Sequence, residues 1–313
     1  MAPRALVYRT LGLGDLLTGV PALRALRRAL PDHRIVLAAP EAQRPLVELI
    51  ALAGAIDELV PTEELCPVAW PGPAPEIAVD LHGNGPASRA PLAALRPGRL
   101  VAFDLSGGPR WNPDEHERHR WCRLVAESFG VRLGVDADPG DLRLPAPAAS
   151  SVVPGAVVVH PGAASQSRRW PARRYAAVAG ALVSAGLRVL VTGSAGERSL
   201  ADEVRRGAGL APADVLTGRT DLGTLAAQVA QARLVICGDT GTAHLASAFG
   251  TPSVLLFGPT PPALWGPPPG PHTVLWHGTG AGDPHGNEID PALLAITVDE
   301  VLAAAGDLLS GGE

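Results

Sequence analysis

The sequence predicts an α/β protein of two doubly wound parallel-sheet domains facing a cleft. Three observations carry that expectation. Short apolar runs alternate with amphipathic helical stretches, which is the pattern of successive βαβ units. The alternation stops in a Pro-, Asp- and Ala-rich segment over residues 131–155 and then begins again. A length of 313 residues also suits two domains, which the sequence divides at 1–150 and 151–313.

The first half opens on Ala5–Tyr8, a buried-strand pattern, followed by the turn Thr10–Gly14. Asp15 then leads a helical stretch with Leu16, Val20, Leu23, Leu26 and Leu30 on one face and Arg24, Arg27 and Arg28 on the other. Asp15 reads as the N-cap of that helix, its carboxylate accepting first-turn amides. Strands are expected at Arg34–Ala39, Ile56–Val60, Ile77–Leu81 and Leu100–Phe103, and a helix over 115–129 that Gly130 ends. Residues 131–155 read as an interdomain linker with an edge strand. In the second half strands are expected at Val157–His160, Leu187–Thr192, Val215–Thr217, Leu234–Cys237 and Ser253–Phe257. Helices are expected over 170–185, with Pro171 at its first position, then 197–207, 222–232 and 242–249. A last helix over 291–309 is apolar on one side and fits either domain.

Composition removes several chemistries. All 26 basic residues are arginine, so neither a Schiff-base lysine nor a P-loop lysine exists. A net charge of −5 argues against a nucleic-acid partner. Cys66, Cys122 and Cys237 lie far apart with no CxxC pair, so neither a disulfide framework nor a zinc site is expected. No leader pattern and no apolar run of membrane-spanning length is seen, and the expectation is a cytoplasmic chain without a transmembrane segment.

Four turns draw attention. Gly12-Leu-Gly14-Asp15 begins like a dinucleotide fingerprint, but the third glycine is replaced by Leu17, and Asp15 would repel a pyrophosphate at the helix start. An aspartate leaving a strand end suits a general base instead, with simple capping as its plain alternative. His160 to Pro171 supplies small residues and the pair Arg168 and Arg169 just ahead of a helix, a phosphate site or a solvated basic turn. Gly238-Asp239-Thr240-Gly241-Thr242-Ala243-His244 joins a strand to a helix, so amides, hydroxyls and His244 converge on a positive helix end. Asp239 there would hold loop amides or accept a ribose hydroxyl. Glu197, after another such turn, is placed for a ribose hydroxyl or for capping. The charge-dense run Asp114–His119 reads as a solvated helix N-terminus rather than a metal site.

Taken together these segments resemble glycosyltransferase family 9, the ADP-heptose heptosyltransferases of lipopolysaccharide cores and their relatives. The resemblance rests on GLGDLLTGVPALRALRRALPD, DLHGNGPAS, the HPGA…SRRWP segment and GDTGTAHLASAFGTPSVLLFGPTPP, which occur in that order. It implies a GT-B fold, with the acceptor on the first domain and the donor nucleotide sugar on the second. It implies an inverting, metal-independent transfer of a sugar, heptose from ADP-heptose, to an acceptor hydroxyl, with no cofactor. Asp15 matches the catalytic base. Ser165, Arg168, Thr240, Gly241, Thr242 and His244 match the donor diphosphate site, and Glu197, Thr220 and Asp239 the nucleoside. Arg168 stands where the family usually has lysine, and Ala163 and Ala164 stand where hydroxyl residues are common. Gly14, Asn84 and Arg89 are the candidate acceptor contacts. The implied partners are a nucleotide-sugar donor and a glycan or natural-product acceptor, with peripheral membrane contact left open, and the chain is expected to be a monomer. An epimerase of similar architecture or a non-catalytic sugar-nucleotide binder are the alternatives.

Overall fold

The computed structural model describes residues 2–148 and 151–311. The chain divides into two compact units, Met1–Pro145 and Ala146–Glu313. The first contains β1 (Arg4–Tyr8), α1 (Leu13–Thr18), α2 (Val20–Ala29), β2 (Arg34–Ala39), α3 (Arg44–Leu52), β3 (Glu58–Pro61), β4 (Ile77–Asp80), α4 (Pro86–Ala93), β5 (Arg99–Val101) and α5 (Glu117–Phe129). Its strands form one parallel sheet in the order β3-β2-β1-β4-β5. The second contains β6 (Val157–His160), α6 (Ala172–Ser184), β7 (Val189–Val191), α7 (Arg198–Ala208), α8 (Leu222–Ala230), β8 (Leu234–Gly238), α9 (Gly241–Phe249), β9 (Ser253–Leu256), α10 (Pro262–Trp265), β10 (His272–Leu275), α11 (Pro291–Ala295) and α12 (Val298–Ser310). Its parallel order is β10-β9-β8-β6-β7. Both are doubly wound α/β units, as the alternating pattern predicts.

The strand orders determine where chemistry can sit. In a doubly wound sheet, ligands bind beyond the carboxyl ends of the strands, where the direction of winding reverses. In the first unit that reversal lies between β1 and β4, and in the second between β6 and β8. The segments that follow those four strands carry Asp15, at the start of α1, and His82, Arg168 and Asp239.

Several elements differ from expectation. The helix expected to run on from Asp15 is broken at Gly19, which ends α1 and begins α2. The strand expected at 215–217 is a single bridge between Val191 and Val215. Edge strand β10 has no clear sequence signal, since its four residues HTVL are only half-buried and carry no long apolar run. Residues 131–145 are not a free linker but fold onto α2, where Arg28 Nε donates to Asp136 O at 2.7 Å and Arg28 Nη1 meets Asp141 Oδ2 at 3.0 Å. In place of an edge strand they make one bridge, Leu133 to Ala137. The remainder of that segment includes Ala149 and Ser150, outside the described residues.

The expected last helix is two helices. Thr297 and Glu300 form a reciprocal capping box that starts α12 afresh, Thr297 N donating to Glu300 Oε2 at 2.8 Å. Leu293, Ile296, Val301 and Ala305 join the core of the second unit with Trp170, Tyr175, Val178 and Leu182. Among the described residues no helix is long and apolar enough to cross a membrane.

Candidate functional site

In the first unit, Gly12 is the N-cap of α1 in extended backbone (φ −66°, ψ 174°) and offers no side-chain cap. The helix therefore starts before Asp15, which occupies its third position. Gly12, not Asp15 as expected, is therefore the N-cap. The Asp15 backbone carbonyl accepts from Arg9 Nε, from Thr18 Oγ1 at 3.0 Å and from the Gly19 amide at 3.1 Å. Its carboxyl is pushed above the ordinary aspartate value, chiefly by burial. Arg9 opposes that shift and Glu117 reinforces it. A raised carboxyl is a better proton acceptor near neutrality than an ordinary aspartate.

The turn after β4 is tied to the turn after β1. Buried Asp80 accepts from the His82 amide at 2.9 Å and from Ser88 Oγ at 2.7 Å. His82 Nδ1 lies 3.2 Å from Thr10 Oγ1, which brings an imidazole beside the Asp15 turn. Sequence reasoning passed over His82, although it directly follows a buried strand end in DLHGNG. Asn84 is exposed on the same turn, its amide 3.5 Å from Asp104 Oδ2. Arg89 braces the loop, its Nε donating to Gly85 O at 3.1 Å and its Nη1 to Phe103 O at 3.2 Å. Gly14 lies inside α1.

The charged run before α5 is not a solvated helix start. His116 is the N-cap, its Nδ1 accepting from the Arg118 amide at 3.1 Å, and Glu117, Arg118 and Arg120 are buried. Glu117 is drawn inward because Arg9 (3.2 Å), Arg120 and the Trp121 indole (2.6 Å) satisfy its carboxylate. No group of three or more His, Cys, Asp or Glu able to hold a metal ion is found among the described residues.

In the second unit the β6 and β8 turns meet. Arg168 Nη2 donates to the Asp239 carbonyl and, at 3.1 Å, to its carboxylate, while His244 Nε2 lies 4.0 Å from the other carboxylate oxygen. A Cβ on Gly238 would stand 3.3 Å from Arg168 O, so a glycine lets the two backbones come this close. Thr240 is the N-cap residue of the nine-residue α9, yet its side chain does not cap. Two polar atoms here, Arg168 Nε and Thr240 Oγ1, are buried with no hydrogen-bond partner among the described residues. Buried polar atoms without partners are uncommon and call for an explanation. The first amides of α9 likewise have no intrahelical acceptor and sit at the positive end of its dipole. A guanidinium N–H, a hydroxyl and helix-end amides are the donor types that bind phosphate groups.

The Ser165 hydroxyl donates to Pro284 O at 2.5 Å and lies 3.1 Å from Ser167 Oγ. Glu197 Oε2 accepts from the Ser194 amide at 2.7 Å and hydroxyl at 2.9 Å in a capping box. A Cβ at Gly162 would fall 1.9 Å from Glu197 Oε1, so the glycine of His160-Pro-Gly162 makes room for that carboxylate. Thr220 follows on the neighbouring loop, which the Gly218 amide ties to Gly193 O at 2.9 Å. The ring of Trp265 stands edge-on to His244 at 5.9 Å. It was overlooked in the sequence, where a tryptophan after a proline-rich turn looks like ordinary packing.

Comparison with known proteins adds the family. A model described as glycosyltransferase family 9 (heptosyltransferase) matches residues 109–284, more than half of the chain. Lipopolysaccharide heptosyltransferase 3 of Escherichia coli K12 is 32% identical over 158 residues, covering 49% of this chain and 46% of that protein. The match thus spans about half the length of that relative. Lipopolysaccharide heptosyltransferase 1 of Salmonella typhimurium LT2 is 27% identical over 302 residues, covering 84% of this chain and 90% of that one. The solved structure of E. coli ADP-heptose lipopolysaccharide heptosyltransferase II aligns with a TM-score of 0.79 at 22% identity, over 98% of this chain and 99% of that chain. The fold is the GT-B type of two Rossmann-like domains, and the chain belongs to glycosyltransferase family 9.

Proposed function

We propose that the chain is an inverting, metal-independent glycosyltransferase that moves a heptosyl group from an ADP-linked donor to a hydroxyl of a lipopolysaccharide core or related glycan. The observation that carries this reading is the pair of buried, unpartnered atoms Arg168 Nε and Thr240 Oγ1 at the start of α9. A diphosphate would satisfy both, together with the Gly241 and Thr242 amides. The relatives named above are heptosyltransferases, and one solved neighbour is an E. coli heptosyltransferase with ADP.

In this reading residues 1–150 bind the acceptor and 151–313 the donor. Asp15 takes the proton from the acceptor hydroxyl as its oxygen bonds to the anomeric carbon. The bond from that carbon to the diphosphate oxygen breaks, the electron pair leaves with ADP, and the configuration inverts. Arg168, the α9 amides and His244 meet the charge that grows on the leaving diphosphate, the work a divalent ion does elsewhere. Asp239 orients Arg168 and His244, while Glu197 and Thr220 contact the nucleoside. Gly14, Asn84 and Arg89 border the acceptor, with Arg89 acting through the loop it braces. The enzyme works as a monomer in the cytoplasm.

Thermal shift with ADP, UDP, GDP and dTDP tests the donor class. A ligand that binds only the folded state at 100 times its Kd stabilises it by about 2.7 kcal/mol. ADP is expected to raise Tm most. A larger shift with another nucleotide removes the adenine assignment, and no shift with any of them removes the diphosphate site.

A further inference from the structure

Beneath Asp15 lies a buried ion pair that the transfer reading does not use. Arg9, just past β1, is 0% exposed. Its Nε donates to the Asp15 carbonyl, Nη1 to Leu81 O beyond β4, and Nη2 to Thr18 Oγ1 at 3.0 Å and to Glu117 Oε1 at 3.2 Å. One guanidinium therefore joins the β1 turn, α1, the β4 turn and α5. Trp121 lies over it at 5.0 Å and donates its indole N–H to Glu117 Oε1 at 2.6 Å, while Arg120 holds the other carboxylate oxygen. The space for Arg9 exists because residue 19 has no side chain: a Cβ there would lie 2.8 Å from Arg9 Cδ and 2.9 Å from its Nε. A buried ion pair is seldom more stabilising than an apolar pair of the same shape. Stability alone is thus a weak account of a pair that reaches the backbone of residue 15.

We propose that Arg9 and Glu117 are positioning residues for Asp15: Arg9 fixes the backbone from which Asp15 projects, and Glu117 holds the guanidinium so that it does not capture the Asp15 carboxylate. This rests on Asp15 being the base. The charges that face Asp15 are Arg9 from the turn after β1 and Glu117 from α5, with Arg120 behind Glu117 and the Gly12 amide at its own turn. Removing the Glu117 charge leaves Arg9 free to stabilise the Asp15 carboxylate and weaken it as a base. Moving Arg9 loosens the carbonyl anchor and displaces the base.

The test combines carboxylate ¹³C NMR of the unliganded protein with turnover of ADP-heptose on heptose-free lipopolysaccharide. The Asp15 resonance is identified as the one missing in Asp15→Asn. In Glu117→Gln the Asp15 midpoint and the acid limb of the kcat profile both move to lower pH, while Glu117→Asp, which keeps the charge, stays near wild type. Gly19→Ala, whose methyl displaces Arg9, loses roughly 10- to 100-fold in kcat, the scale of a misplaced catalytic group, with KM for ADP-heptose unchanged. If Glu117→Gln does not fold, Arg9→Lys keeps the charge without the fork and shows the same split of kcat from KM. An unmoved Asp15 midpoint in Glu117→Gln, or wild-type kcat in Gly19→Ala and Arg9→Lys, overturns the proposal. Near wild-type turnover in Asp15→Asn removes the base and the proposal falls with it, whereas an inactive Asp15→Asn beside unchanged neighbours removes the proposal alone.

Discussion

Asp15→Asn is expected to lower kcat by about 10²- to 10⁴-fold, the range that general-base help supplies, while ADP binding stays within about twofold. Asparagine keeps the shape of the side chain and loses only the proton acceptor, so the fold has no reason to change. The pH dependence follows from the direction of the Asp15 shift. Burial and Glu117 hold its carboxyl above the ordinary aspartate value against the pull of Arg9, so wild-type turnover declines on the acid side at a higher pH than an ordinary aspartate would give. Between the unfolded and folded values the native state binds the extra proton. Stability contributed by this group is therefore greatest at low pH and is lost as pH rises through that window. At neutral pH Asp15→Asn should accordingly melt at a higher temperature than wild type, since it removes a buried charge. A neutral-pH melting point below wild type, or turnover within tenfold of it, would contradict the assignment.

Arg168→Ala is expected to weaken ADP binding by about 100-fold. Two losses combine. The charge-assisted bonds that a guanidinium gives a diphosphate are worth about 1.5–3 kcal/mol each. Asp239, only 5% exposed, also loses the cation 3.1 Å away, so its negative charge is less offset as the anion arrives. Arg168→Lys restores the charge but not the planar fork, which in the proposed reading holds Asp239 and the donor together, so its Kd should fall between the two. Isothermal titration with ADP reads the series directly. Equal Kd values for wild type and Arg168→Ala would show that the anion site lies elsewhere.

The sequence made the turns legible and the distances between them obscure. Arg168 and Asp239 both stand in turns that small residues and a following helix mark out locally, so each was visible alone. That they form one site, 71 residues apart, follows only from the strand order that puts β6 beside β8. The pair Arg9 and Glu117 is separated by 108 residues and was not visible at all. Glu117 sits in a run of charges whose local pattern says solvent, and only the packing of Trp121 and Arg9 turns it inward. The apolar spacing from Leu16 to Leu30 is unbroken and hides the break at Gly19, where Pro21 at the start of α2 has no N–H for the carbonyl four residues back. Asp15 was correctly placed beyond a strand end, while its expected cap was misplaced because an extended glycine starts the helix earlier.

Sugar transfer from a nucleotide diphosphate without a metal ion is the activity proposed for this chain. It is tested most directly by mixing the protein with ADP-heptose and heptose-free lipopolysaccharide in excess EDTA, then following ADP release and the acceptor by mass spectrometry and the new linkage by NMR. The predicted result is one ADP released for each heptosyl group gained, at a rate EDTA leaves unchanged, with the anomeric configuration inverted. Transfer that EDTA abolishes and a divalent ion restores, or ADP-heptose that binds but yields neither free ADP nor a heptosylated acceptor, would contradict it.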